Sequence, residues 1–101
     1  MASRRKLKQA IHSEVEEILF DLSILYSVAP EEREYAIEQL IIKVIDAERD
    51  FIARISHTDG KGDPKLVRNY YHKLREEYTH FVSEIEDEVS KLCDELLVPE
   101  A

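Results

Sequence analysis

Arginine and histidine recur in this sequence at spacings that suit phosphate chemistry. Arg75 stands five residues before His80, and Arg5 stands seven before His12. A guanidinium can neutralise charge building on a phosphorane while an imidazole moves the proton. Glu76, Glu77 and Glu84 crowd the first pair with charge that repels a phosphate. The pattern is loose, and the plain alternative is a solvated arginine in helical ion pairs beside a surface histidine. The same His80 closes Glu77-Tyr78-Thr79-His80, a Glu-x-x-His of the kind used by di-iron carboxylate bundles. Such a site wants two of these motifs and two further inward carboxylates. Glu48 is one candidate, because it projects toward an apolar stripe, but the first helix offers none. The plain alternatives are an edge histidine at His80 and, at Glu48, a buried carboxylate bonded to a core tyrosine or an arginine. The sequence therefore assigns no catalytic residue, no cofactor and no metal ligand.

The other reactive side chains read as structural. Cys93 is the one cysteine, with Asp94 and Glu95 beside it opposing thiolate formation. Alone it makes neither an intrachain disulfide nor a four-cysteine zinc site. Gly60-Lys61-Gly62 is too short for a phosphate loop, and no strand precedes it. Tyr26, Tyr70, Tyr71 and Tyr78 lie on apolar stripes and read as boundary residues whose hydroxyls reach the bundle edge. Stacking of a nucleobase on Tyr70 and Tyr71, beside Arg68 and Lys73, is the weaker reading.

These residues must be held by helices. The chain has 101 residues, 44% apolar and 36% charged, with two Gly and three Pro. That is one foldable domain, with too few turn formers for an all-β protein. All five breakers fall between periodic segments or after the last one. The spacing predicts helices over about 4–28, 31–56 and 65–97, with Asp63 as an N-cap and Pro64 at the first helical position. The first stripe is Leu7, Ile11, Val15, Ile18, Leu22 and Leu25. The second is Ile37, Leu40, Ile41, Val44, Phe51, Ile52 and Ile55. The third is Val67, Tyr70, Tyr71, Leu74, Tyr78, Phe81, Ile85, Val89, Leu92 and Leu96. A short first connection and a longer second one predict an all-α, antiparallel up-down-up three-helix bundle. At 1.5 Å per residue the first helix runs roughly 37 Å and the third roughly 50 Å, so the acidic end of the third should overhang or pack on something else.

Net charge is −8. Residues 1–75 hold 13 acids and 13 cations, whereas residues 76–101 hold nine acids and Lys91 alone. A broad nucleic-acid surface is disfavoured, leaving the basic start, Arg4-Arg5-Lys6-Leu7-Lys8, as the one place for such a contact. Apolar runs reach only three residues, as at Ile18-Leu19-Phe20, so no membrane partner is expected. Glu14, Glu16 and Glu17 interrupt any signal-peptide pattern, and the expected location is cytoplasmic.

Some apolar residues fall off the stripes. Phe20, Ile24 and Val28 recur at four-residue steps on the outer side of the first helix, and Tyr35 and Ile42 point outward on the second. Scattered surface hydrophobes are normal. Three in line on one helix point instead to an interface, most simply a two-fold homodimer. An antiparallel dimer would set the basic end of one copy beside the acidic end of the other.

Two stretches carry a resemblance. Arg4-Arg5-Lys6-Leu7-Lys8 leads into Ile18-Leu19-Phe20. Asp50-Phe51-Ile52-Ala53-Arg54-Ile55-Ser56-His57 leads through a Gly/Pro loop to Tyr70-Tyr71-His72-Lys73-Leu74. Together they resemble a family of small, uncharacterised, all-helical bacterial proteins. The resemblance implies a helical bundle of unknown function with no catalytic residues to transfer. It draws attention to Arg54-Ile55-Ser56-His57 and Asp59, where Ser56 and His57 would cap the last carbonyls of the second helix. The Arg-x4-His spacing of Arg75 and His80 is similar to that of HEPN-type ribonucleases, small helical proteins that dimerise to assemble their site. The expected function is a non-enzymatic, homodimeric protein-interaction module, open to a further protein partner; the alternative is a HEPN-like RNA-acting module.

Overall fold

The protein's structure, a computed structural model, describes residues 4–57 and 62–97. Three helices account for nearly all of them: α1 (Arg4–Val28), α2 (Glu31–Ser56) and α3 (Pro64–Leu97). No strand occurs among the described residues. Each expected span is met to within a residue, and the ends at both connections carry local stops. Ala29 and Pro30 alone join α1 to α2. Pro30 is extended (φ −68°, ψ 158°), and its carbonyl accepts the Arg33 N–H at 2.9 Å. Glu31, Glu32 and Glu34 fill the first turn of α2, where the helix dipole favours anions. At the start of α3 the Asp63 carboxylate accepts the N–H groups of Lys65 (3.0 Å) and Leu66 (3.4 Å). Gly62 turns the chain into that cap with φ +102°, a conformation a Cβ would strain. Asp59, Gly60, Lys61, Pro99 and the two tails lie outside the described residues.

The end of α2 is closed from two sides. Ser56 Oγ donates to the Ile52 carbonyl (3.1 Å) and the His57 N–H to that of Ala53 (3.0 Å). The next two carbonyls, those of Arg54 and Ile55, each accept a bond from α3. Tyr70 donates its hydroxyl to the Arg54 carbonyl at 2.6 Å, and Tyr71 donates to that of Ile55 at 3.3 Å. Two side chains of α3 thus finish α2 and fix the register between them.

Cross-helix pairs give the topology. Tyr26 meets Glu38 and His12 meets Glu48, so α1 and α2 run antiparallel. Arg54 meets Glu77, Lys43 meets Glu88 and Arg33 meets Glu95, so α2 and α3 do too. Tyr78 meets Glu14, which sets α3 parallel to α1. The result is the expected up-down-up bundle, 60 Å long and about 20 Å across.

The core takes Ile11, Val15, Ile18, Leu22 and Leu25 from α1, and Ile37, Leu40, Val44, Phe51 and Ile55 from α2. The α1–α2 pair packs most closely. Among the described side chains of α3, Leu74, Val82 and Ile85 are buried. Its other stripe residues, such as Tyr78, Phe81 and Val89, are half-buried against the core. Val82, absent from the expected stripe, is shielded, while Phe81 leans on Phe51 with ring centroids 6.0 Å apart. The acidic end of α3 does not overhang as far as it is described. Leu92, Cys93 and Leu96 pack against the core, and Glu95 holds Arg33 at 2.7 Å.

Candidate functional site

The residues singled out for chemistry find separate partners. His12 Nδ1 lies 2.9 Å from Glu48, seven positions and two helical turns from Arg5. Glu48 is therefore half-buried against a histidine and not bonded to a tyrosine or arginine. Glu77 is held by Arg54 at 2.5 Å, and His80 by Glu84 at 3.0 Å. The Glu-x-x-His pair is thus divided between two partners, although its members lie only about 60° apart on α3. Among the described residues, no three His, Cys, Asp or Glu side chains converge on a point where a metal ion could sit. Arg75 and His80 do share one shallow depression of about 480 Å³, with Glu76, Thr79 and Ser83. All five lie on α3 alone, and no second element walls them in.

The tyrosines are bound into the fold. Burial, reinforced by the 2.6 Å bond to Glu14, pushes the Tyr78 hydroxyl well above the usual phenol range. The Tyr26 hydroxyl is raised by its bond to Glu38 and by nearby Glu34. Tyr70 and Tyr71 spend their hydroxyls on α2 and meet edge to face at 5.7 Å, so neither is an open stacking platform. Burial works against the charge of Arg54, but Glu77 and Asp50 together outweigh it and leave the guanidinium more firmly protonated. Arg54 also stands 5.4 Å from the Phe51 ring centroid. It is a structural hub.

The outward apolar residues are solvent-facing as their spacing requires, from 43% exposed at Ile24 to 70% at Tyr35. Phe20, Val28 and Ile42 fall between, as does Leu66, which the periodicity did not single out. The five expected interface residues do not form one patch. Tyr26 marks the side of α1 that faces α2. At 100° per residue, Ile24 and Val28 lie about 160° round from it, whereas Tyr35 and Ile42 point directly out from α2. One flat contact can take the α1 stripe or the α2 pair.

The fold also sorts charge in a way that linear counting hides. The Glu14–Tyr78 bond sets position 12 of α1 level with about position 76 of α3, and His12 marks position 48 of α2. Among the described residues, ten Lys and Arg lie below that level against two acids, Asp50 and Asp63, a balance of +8. At that level and above it, eighteen described acids face Arg33, Lys43 and Lys91, a balance of −15. The apparently neutral first 75 residues thus fold into a cationic pole and much of an anionic one. The α1 stripe lies in the anionic half.

Comparisons with protein-family models, with curated proteins and with solved structures find no match to this chain. No described helix is long and apolar enough to cross a membrane.

Proposed function

We propose that this chain is a non-enzymatic, cytoplasmic interaction module that pairs with a second copy of itself through the α1 stripe. One observation carries the reading: Phe20, Ile24 and Val28 are exposed in line, while the core-forming residues of α1 occupy its other side. The fold does not need these side chains, and water disfavours them. Tyr35 and Ile42 face elsewhere and are available to a further protein partner. The lone cysteine supports a reducing compartment.

The stripe's location changes the expected charge pairing. Either two-fold arrangement centred on Ile24 sets the two anionic halves side by side, not basic end to acidic end. Association should therefore tighten as salt screens the repulsion. Sedimentation equilibrium from about 10 to 500 µM protein, at low and at high NaCl, tests this. Dimer that grows with salt supports the reading, and monomer under every condition discards it.

The HEPN-like alternative draws on Arg75 and His80 sharing one depression. It requires RNA cleavage that is lost in His80→Ala.

A further inference from the structure

The cationic pole is assembled by tertiary structure from all three helices. Arg4 and Arg5 come from the start of α1; Lys65, Arg68, Lys73 and Arg75 come from the first three turns of α3. All six are exposed and none has an ion pair with a described residue. Both helices begin at this pole, so two positive dipole ends outnumber the one negative end that α2 brings there. The structure is 60 Å long, and the anionic pole therefore centres several Debye lengths away at about 8 Å each. The overall −8 does not cancel the local field.

We propose that this pole binds the phosphodiester backbone of single-stranded nucleic acid without reading its bases. Three observations favour that partner. The cations surround the tip: Arg68 and Lys73 lie about 140° apart on α3, which suits a flexible strand that wraps more than a flat bilayer. Among the described residues, Leu66 is the only large apolar side chain exposed at the pole, too little to anchor in lipid. The neighbouring Tyr70 and Tyr71 are committed to capping α2, so no stacking platform supplies base preference. The inference does not depend on the α1 stripe.

Fluorescence anisotropy with labelled oligo(dT) and oligo(U) tests it on the full chain. With about five phosphates engaged and a slope near −0.7 per phosphate, affinity should fall about 50-fold between 50 and 150 mM salt. The two oligomers should bind alike. Arg4→Glu/Arg5→Glu and, separately, Arg68→Gln/Lys73→Gln should each weaken binding at least tenfold with unchanged helical circular dichroism. Lys91→Glu, in the anionic half, should leave it unchanged. Absence of binding at 20 mM salt, indifference to both double variants, or stronger binding to vesicles rich in phosphatidylserine would each overturn the proposal.

Discussion

Ile24→Glu isolates the α1 stripe from the fold. Ile24 is 43% exposed and lies outside the core, whereas its neighbours Leu22 and Leu25 are fully buried. Full side-chain areas of 150–200 Å² imply an exposed apolar surface of roughly 280 Å² on Phe20, Ile24 and Val28 together. A stable interface buries about 800 Å² per partner, so the stripe supplies only a third of one. At about 25 cal/mol per Å² it contributes roughly 7 kcal/mol per copy, or 14 kcal/mol for the pair. Loss of rotational and translational freedom removes about 4–15 kcal/mol of that. The expected dimer is weak, dissociating at tens to hundreds of micromolar. Replacing both copies of Ile24 by Glu removes about 2 kcal/mol per side and adds negative charge to an acidic contact. Dissociation should strengthen about 1,000-fold, which sedimentation equilibrium at high salt reads as monomer throughout. Thermal unfolding of the monomer should change little, since no core contact is lost. A variant that still dimerises, or one that fails to fold, would refute the assignment of this face.

Three further outcomes follow from the same contacts. Leu22→Ala should cost about 3–5 kcal/mol in urea unfolding, against under about 1 kcal/mol for Phe20→Ala two positions away. Asp63→Ala removes the cap of α3 and should cost about 1 kcal/mol, while Asp63→Asn restores most of it. Tyr78 ionises near pH 10 in the unfolded chain and higher in the folded one, so its contribution is intact below pH 10 and is lost as pH rises beyond it. Alkaline unfolding followed by circular dichroism should therefore be shallower in Tyr78→Phe, and an unchanged profile would show that the Glu14 bond has no such role.

Much of this molecule was legible in the residues themselves. Helix spans follow from 3.6-residue periodicity and from breakers at Pro30, Gly62 and Pro64, all local effects that act within a turn or two. The inner faces of α1 and α2 follow for the same reason, since a stripe that is apolar at every fourth or third position has only one way to leave water. Glu48 was misjudged because its partner, His12, lies 36 positions away on another helix. Val82 was missed because it stands at the edge of its stripe, where the tilt of a neighbour decides what is covered.

Alone, the sequence determined three amphipathic helices, their caps and the exposure of Phe20, Ile24 and Val28, because each depends on contacts along one short segment. Only the tertiary structure decided that Tyr70 and Tyr71 finish α2, that Glu14 meets Tyr78, and that the cations of three separate segments gather at one end. Those outcomes depend on how far each helix slides along its neighbours, and sliding is set by packing between distant side chains. A neutral stretch of sequence can therefore fold into a strongly dipolar surface, since charges cancel in a count but not across 60 Å of helix.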